Sequence, residues 1–192
     1  MINNKSITLF AIAWGNQLEF TNSVLRYCNS IFPVFDRTIL YSKIENLLQY
    51  NTFMVENLNE IIDTDFVLTV QPDGYIINPK LWNNKFLDYD YVGAPWPWHK
   101  VSGNGGFSLR SKKFLNESSK LKYNKYHEEY DCCPEDYFMC VLNRDHFIKN
   151  GCLFPSMETA IEFSFEHPIP GINKTIFDSF GFHGKHNILA MG

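Results

Sequence analysis

"DFVLTVQPDGYII", residues 65–77, is the stretch whose reading decides the fold. Phe66 to Val70 form a short, unbroken run of apolar and β-branched residues, the pattern of a strand covered on both faces. The run stops at Gln71-Pro72-Asp73-Gly74, where polar and turn-forming residues take over. Polar groups at the carboxyl end of a buried strand mark the place where open α/β sheets collect their ligands.

Working outward from it, "SITLFAIAW" (residues 6–14) is a second buried strand. Gly15 and Asn16 punctuate it, and Leu18, Val24, Leu25, Cys28 and Ile31 then recur at near-helical spacing, which predicts an amphipathic helix. "RTILYS" follows the Pro33 turn as a further strand. Strand, helix, strand in this order predicts a parallel sheet with right-handed crossovers.

Downstream, a short helical stretch leads to a strand near "YDYVG" (residues 89–93), and "FSLRS" (residues 107–111) is another strand. A helix is predicted from Ser111 through "KKFLNESSKL". "PEDYFMCVLNRDHFIKNG" (residues 134–151) reads as a helix with Pro in its first turn, acids beside it and a Gly stop. No repeat or linker divides the chain, so residues 1–192 are expected to form one domain with a core of its own.

Composition narrows the function. Aromatic content of 16% and charged content of 20% describe a folded protein, and a net charge of −4 argues against a broad electrostatic hold on nucleic acid. Lysines gather at 112, 113, 120, 122 and 125, but polar residues alternate with them and Glu128 and Glu129 follow, as on a solvated face. Five cysteines, with Cys132 and Cys133 adjacent, suggest neither a disulfide framework nor a zinc site, and so a reducing, cytoplasmic setting. The apolar start is too short and poorly flanked for a secretion signal, and no segment is long enough to span a bilayer, so any membrane contact is expected to be peripheral.

Four clusters could carry chemistry. Asp73 beside Gly74 is a turn former, or a hard oxygen ligand for Mg²⁺ or Mn²⁺. In "GNGG" (residues 103–106) glycine either supplies positive φ for a tight connection, or lets a ligand approach the backbone of Gly105 and Gly106 and the Asn104 amide. The spacing is not that of a dinucleotide fingerprint. Glu135 and Asp136 either offset a helix dipole or supply a general base. His183, between Gly181 and Gly184, is a structural histidine or a metal ligand.

The order of these clusters resembles a family of poorly characterised bacterial and viral glycosyltransferase-like proteins that share the A-type (GT-A) nucleotide-sugar transferase fold. The resemblance rests on "VLTVQPDGYIINPKLW", "FLDYDYVGAPWPW", "GNGGFSLRS", "PEDYF", "FSFE" and "FGFHG", and covers roughly residues 60 to 186. It implies an α/β, Rossmann-like, mixed but mostly parallel sheet flanked by helices. It also implies transfer of a sugar from a nucleotide-diphosphate donor to a hydroxyl of a glycan or glycoconjugate, metal-assisted and inverting.

Position by position, "QPD" resembles the family's Asp-x-Asp element, with Asp73 in the metal-binding place and Gln71, which carries no charge, where the first acid stands. His183 is similar in setting to the histidine that completes the metal shell, and Asp136 to the base, with Glu135 its neighbour in acceptor binding. Ala13 and Trp14 would lie against the nucleotide base, while Trp96 and Trp98 would offer flat faces to an acceptor sugar or simply pack a turn. Two rival readings stand beside this one: a non-catalytic carbohydrate or nucleotide-sugar binding module, which Gln71 and the short chain favour, and a phosphoester hydrolase, which would want more carboxylate and histidine ligands.

Overall fold

β1 (Ile7–Ile12) is buried at every residue, as a strand must be when helices or loops cover both faces of its sheet. The computed structural model describes residues 2–130, 133–169, 171–172 and 175–189; Cys132 lies outside the described residues. α1 (Leu18–Ile31) follows and buries Thr21, Val24, Leu25 and Cys28. Leu18, expected on that face, is 47% exposed, because the buried stripe begins one turn later at Thr21.

β2 (Arg37–Tyr41) lies parallel to β1, with Phe10 opposite Ile39. A helical segment comes next, of which only the end, a short helix or turn leading into "DFVLTV", is expected from the sequence. Asn46 caps it by accepting from the Gln49 amide, and it runs as α2 (Leu47–Thr52), a π turn at Phe53–Asn57, and α3 (Leu58–Ile61). β3 (Phe66–Thr69) is the strand first quoted and pairs parallel with β1 on its other edge.

β4 (Tyr91–Gly93) is followed by the small antiparallel ribbon β5 (Pro95–Trp96) and β6 (Val101–Ser102), then by β7 (Ser108–Ser111). Ser111 caps α4 (Lys112–Ser118), its hydroxyl accepting from the Phe114 amide at 3.0 Å. α5 (Tyr123–Tyr130) precedes the PED helix, which comprises α6 (Glu135–Tyr137), a second π turn at Phe138–Leu142, and α7 (Arg144–Lys149). Gly151, at φ +77°, lies just beyond it in the left-handed region where glycine is favoured. α8 (Met157–Phe163), β8 (Ser164–Phe165), its parallel partner β9 (Gly181–Phe182) and α9 (Lys185–Leu189) complete the described chain.

The main sheet has the order β2-β1-β3-β7-β4. β7 is antiparallel to both its neighbours, so four strands point one way and one the other, a mixed and mostly parallel sheet. One face is filled by a chain of aromatic rings: Phe107, Phe163 and Phe180 meet at 5.1 to 5.9 Å, and Phe86 stands 5.2 Å from Phe163. Each fully buried ring contributes about 1.5–3 kcal/mol of transfer free energy, which makes this cluster the anchor of the sheet's C-terminal half. On the other side of β7, Phe114 stacks on Phe147 at 4.2 Å and ties α4 to α7. Cys28, Cys140 and Cys152 are buried and free. Among the described residues no helix is long and apolar enough to cross a membrane.

Candidate active site

The end of β3 closes into a tight turn, the Gln71 and Gly74 backbones exchanging hydrogen bonds at 2.8 and 3.0 Å. The Asp73 carbonyl accepts from the Gly184 amide at 2.7 Å, which draws the loop after β9 onto this turn. Asp73 forms a turn, and its carboxylate stands 3.9 Å from His183 Nε2. Gln71 Oε1 is 3.2 Å from the same nitrogen, while Gln71 Nε2 donates to the Tyr50 hydroxyl at 2.8 Å.

Tyr50 thus turns the amide so that its oxygen, not its nitrogen, faces the imidazole. His183 Nε2, Gln71 Oε1 and an Asp73 carboxylate oxygen converge on one small volume. The Asn104 amide nitrogen stands 2.9 Å from the other ring nitrogen, Nδ1, so a ring proton on Nε2 bridges to Gln71 Oε1; a divalent ion in its place would draw on all three atoms. The set fits Mg²⁺ or Mn²⁺, which take few protein ligands and complete their shell with phosphate and water. It does not amount to an all-protein cage, since no three His, Cys, Asp or Glu side chains gather to hold a metal among the described residues. Burial opposes charge on His183, but the Glu166 hydrogen bond and the carboxylates of Glu166, Asp73 and Asp136 outweigh it and hold the imidazole's pKa above its ordinary value.

The glycines of "GNGG" are explained by space. None of Gly103, Gly105 and Gly106 has a positive φ, which corrects the expectation of a left-handed connection. A Cβ at Gly106 would lie 2.2 Å from His183 Nε2 and 2.8 Å from Gln71 Oε1. At Gly105 it would meet Glu135 Oε1 at 2.5 Å and Asp136 Cβ at 2.9 Å, and at Gly103 the Trp96 ring at 2.4 Å. Each glycine lets a different site side chain rest on the loop backbone. Asn104 braces that loop: its Oδ1 accepts from the Gly106 and Phe107 amides, and its Nδ2 donates to Glu166 at 2.9 Å. With only 4% exposed, Asn104 shapes the loop and lines neither of the cavities described below, as is also true of Gly105.

Asp136 is held from two sides. Its Oδ2 accepts from the Gly105 amide and its Oδ1 from the Tyr137 amide, each at 2.8 Å. Burial, with the adjacent Glu135 charge, pushes its pKa up to about 7, against the pull of those two amides and Arg110. Glu135 is buried and pairs with the fully buried Arg110 at 3.0 Å. Arg110 also bonds Ser108 and the Gly105 carbonyl, so the ion pair pins β7, the glycine loop and α6 together. Glu135 Oε2 and Arg110 Nη1 are buried without a hydrogen-bond partner among the described residues.

Two cavities, each of about 420 Å³, meet at Pro134 and Asp136. The first is lined also by Leu47, Tyr50, Asn51, Gln71, Gly106, Glu135 and His183. The second is lined by Trp96, Trp98, His99, Cys133 and Tyr137. Trp96 is 9% exposed, packs on Gly103 and lines the second cavity, whereas Trp98 is 61% exposed. Ala13 is wholly buried and lines neither cavity; Trp14 leans on Tyr50, ring centroids 5.7 Å apart, one side chain removed from the first.

Sequence reasoning brought Gln71, Asp73, Gly106, Asp136 and His183 to one place. It missed Tyr50, Arg110 and Glu166. Glu166 ends the quoted "FSFE", where alternation reads it as a solvent-facing strand residue, so no signal beyond the motif itself pointed to it.

With this geometry described, the chain can be set beside known proteins. A protein family described as "Protein of unknown function (DUF5672)" matches residues 36–183, most of the chain and every element that builds the site except β1. The chain belongs to this family. No curated protein matches. Among solved structures, a glycosyltransferase involved in the glycosylation of the major capsid of PBCV-1 is similar, with TM-score 0.60 and 15% identity, covering 93% of this chain and 92% of the other. The galactosyltransferase LgtC, solved with donor and acceptor sugar analogs, is similar with TM-score 0.55 and 11% identity, covering 92% and 86% respectively. These likenesses show that this DUF5672 member has a glycosyltransferase fold of the GT-A type.

Proposed function

We propose that the protein is a glycosyltransferase that moves a sugar from a nucleotide-diphosphate donor to a hydroxyl of a glycan or glycoconjugate. The observation that carries this is the sharing of Asp136 by two cavities. One cavity holds the Gln71 and His183 cluster suited to a diphosphate, and the other is walled by Trp96, Trp98 and Tyr137, whose flat faces suit a sugar ring. A reaction that joins two substrates needs its base where the two spaces meet.

On this reading Asp73 and His183, with Gln71, would hold Mg²⁺ or Mn²⁺, and a divalent cation supplies Lewis-acid stabilisation of charge on a leaving diphosphate. Asp136 takes the proton from the acceptor hydroxyl, the oxygen attacks the anomeric carbon from the face opposite the leaving group, and the bond to the diphosphate breaks with inversion. Arg110 and Glu135 keep the Asp136 carboxylate and the glycine loop in register. Assembly of a surface polysaccharide or glycoconjugate in the cytoplasm is the setting that the resemblance to glycosyltransferase-like proteins supports. A binding module without turnover is the second reading, favoured by the neutral amide of Gln71 where a second carboxylate would strengthen metal binding.

The test is release of nucleoside diphosphate from a panel of nucleotide-diphosphate hexoses with Mn²⁺, alone and with simple glycosides. The expected result is turnover of one donor, reduced at least ~10²-fold in Asp136→Asn while donor affinity stays within about fivefold. Binding of that donor with no turnover by the wild type would favour the module.

A further inference from the structure

We infer that Glu166 is a positioning residue that sets the metal-side imidazole and the acceptor-side indole with one carboxylate; this rests on the transferase reading above. Glu166 directly follows β8, and β8 pairs with β9, whose next residue is His183. The His183 amide donates to the Phe165 carbonyl at 2.8 Å, so the ribbon delivers the two side chains next to each other. Glu166 Oε1 is 3.2 Å from His183 Nδ1 and accepts from Asn104 Nδ2 at 2.9 Å. Its Oε2 accepts from Trp96 Nε1 at 3.2 Å. The side chain is 12% exposed and lines neither cavity, so it acts through its neighbours.

Glu166 Oε1 and the Asn104 amide nitrogen, itself 2.9 Å from Nδ1, hold that edge of the His183 ring between them, so the Nε2 edge is turned toward Gln71 and Asp73. The other oxygen fixes the Trp96 ring, whose face rests over Gly103. This one carboxylate therefore ties together a wall of the donor-side cavity, the brace of the glycine loop and a wall of the acceptor-side cavity. Ligand-orienting carboxylates of this kind commonly alter metal affinity 10–100-fold when neutralised.

The experiment compares wild type, Glu166→Gln and Glu166→Asp by three measurements: ring ¹⁵N resonances of His183, the indole N–H resonance of Trp96, and calorimetric titration with Mn²⁺ alone. Glu166→Gln should change the His183 ring pattern, shift the Trp96 resonance and weaken Mn²⁺ binding about 10–100-fold. Glu166→Asp, a methylene shorter, should keep the charge yet lose one of the two contacts, so that only one resonance moves; it stands in if the Gln variant does not fold. Unchanged His183 and Trp96 resonances in a folded variant would overturn the inference. Wild type that binds no Mn²⁺ would defeat the metal assignment, while the two resonances would still decide the role of Glu166.

Discussion

Asp136 is the residue whose environment makes the most exact demand on experiment. With its pKa pushed up to about 7, a base at this position is half protonated near neutrality. The kcat/KM for transfer should therefore rise through pH 7, where an ordinary carboxylate would already have levelled off. The same shift acts on stability with the opposite slope. Between about pH 4 and pH 7 the folded protein keeps a proton that the unfolded chain releases, so folding stability falls as pH rises across that window. Thermal melts of Asp136→Asn should lose this dependence, and a wild-type melt that strengthens from pH 5 to 7 would contradict it. Arg110 makes a second demand: Arg110→Met strands Glu135 in the interior and should cost about 3–5 kcal/mol, measured by denaturant unfolding. Arg110→Met with Glu135→Gln should recover part of it. Asp136 was legible in "PED", where two acids open a helix. Arg110 was not, because a charge at alternate spacing in "FSLRS" reads as a solvent-facing strand residue, and only the pairing of β7 between β3 and β4 shows it buried.

The glycine loop and the two π turns are the elements that shape the site. Gly106→Ala would place a methyl against His183 and Gln71, so binding of a nucleoside diphosphate with Mn²⁺ should fall sharply and turnover by on the order of 10²-fold. Gly103→Ala presses on Trp96 instead, and should raise the acceptor KM while leaving donor binding near wild type. Equal effects of the two variants on donor binding would mean that the loop acts as one unit rather than as two separate rests. The sequence pointed to this loop but not to its reason: glycine is as fitting for a positive φ as for a close approach, and only the neighbours choose between them. The helix that supplies Leu47, Tyr50 and Asn51 was passed over, as its π turn at Phe53–Asn57 breaks the 3.6-residue period on which such readings depend. A second π turn follows Asp136 at Phe138–Leu142, so both helical walls of the donor-side cavity carry one.

At the scale of the molecule, a net charge of −4 offers an anionic donor no general attraction, so a local cation is the consistent way to hold a diphosphate. The sheet's mostly parallel direction was legible, since strand, helix, strand near the start predicts a parallel pair, whereas the strand order comes from the pairing itself. The reversal of β7 was not, because its partners are set by how β3 and β4 flank it rather than by its own residues. The central claim is that the pocket of Gln71, Asp73 and His183 binds a nucleotide-diphosphate sugar through a divalent ion. The most direct measurement is a calorimetric titration of nucleoside diphosphates and their sugars against wild type and Asp73→Ala, each with Mn²⁺ and with EDTA. The account predicts that one nucleotide sugar binds wild type only with Mn²⁺ and that Asp73→Ala loses the metal-dependent part; binding by none, or binding undiminished by EDTA and by Asp73→Ala, would contradict it.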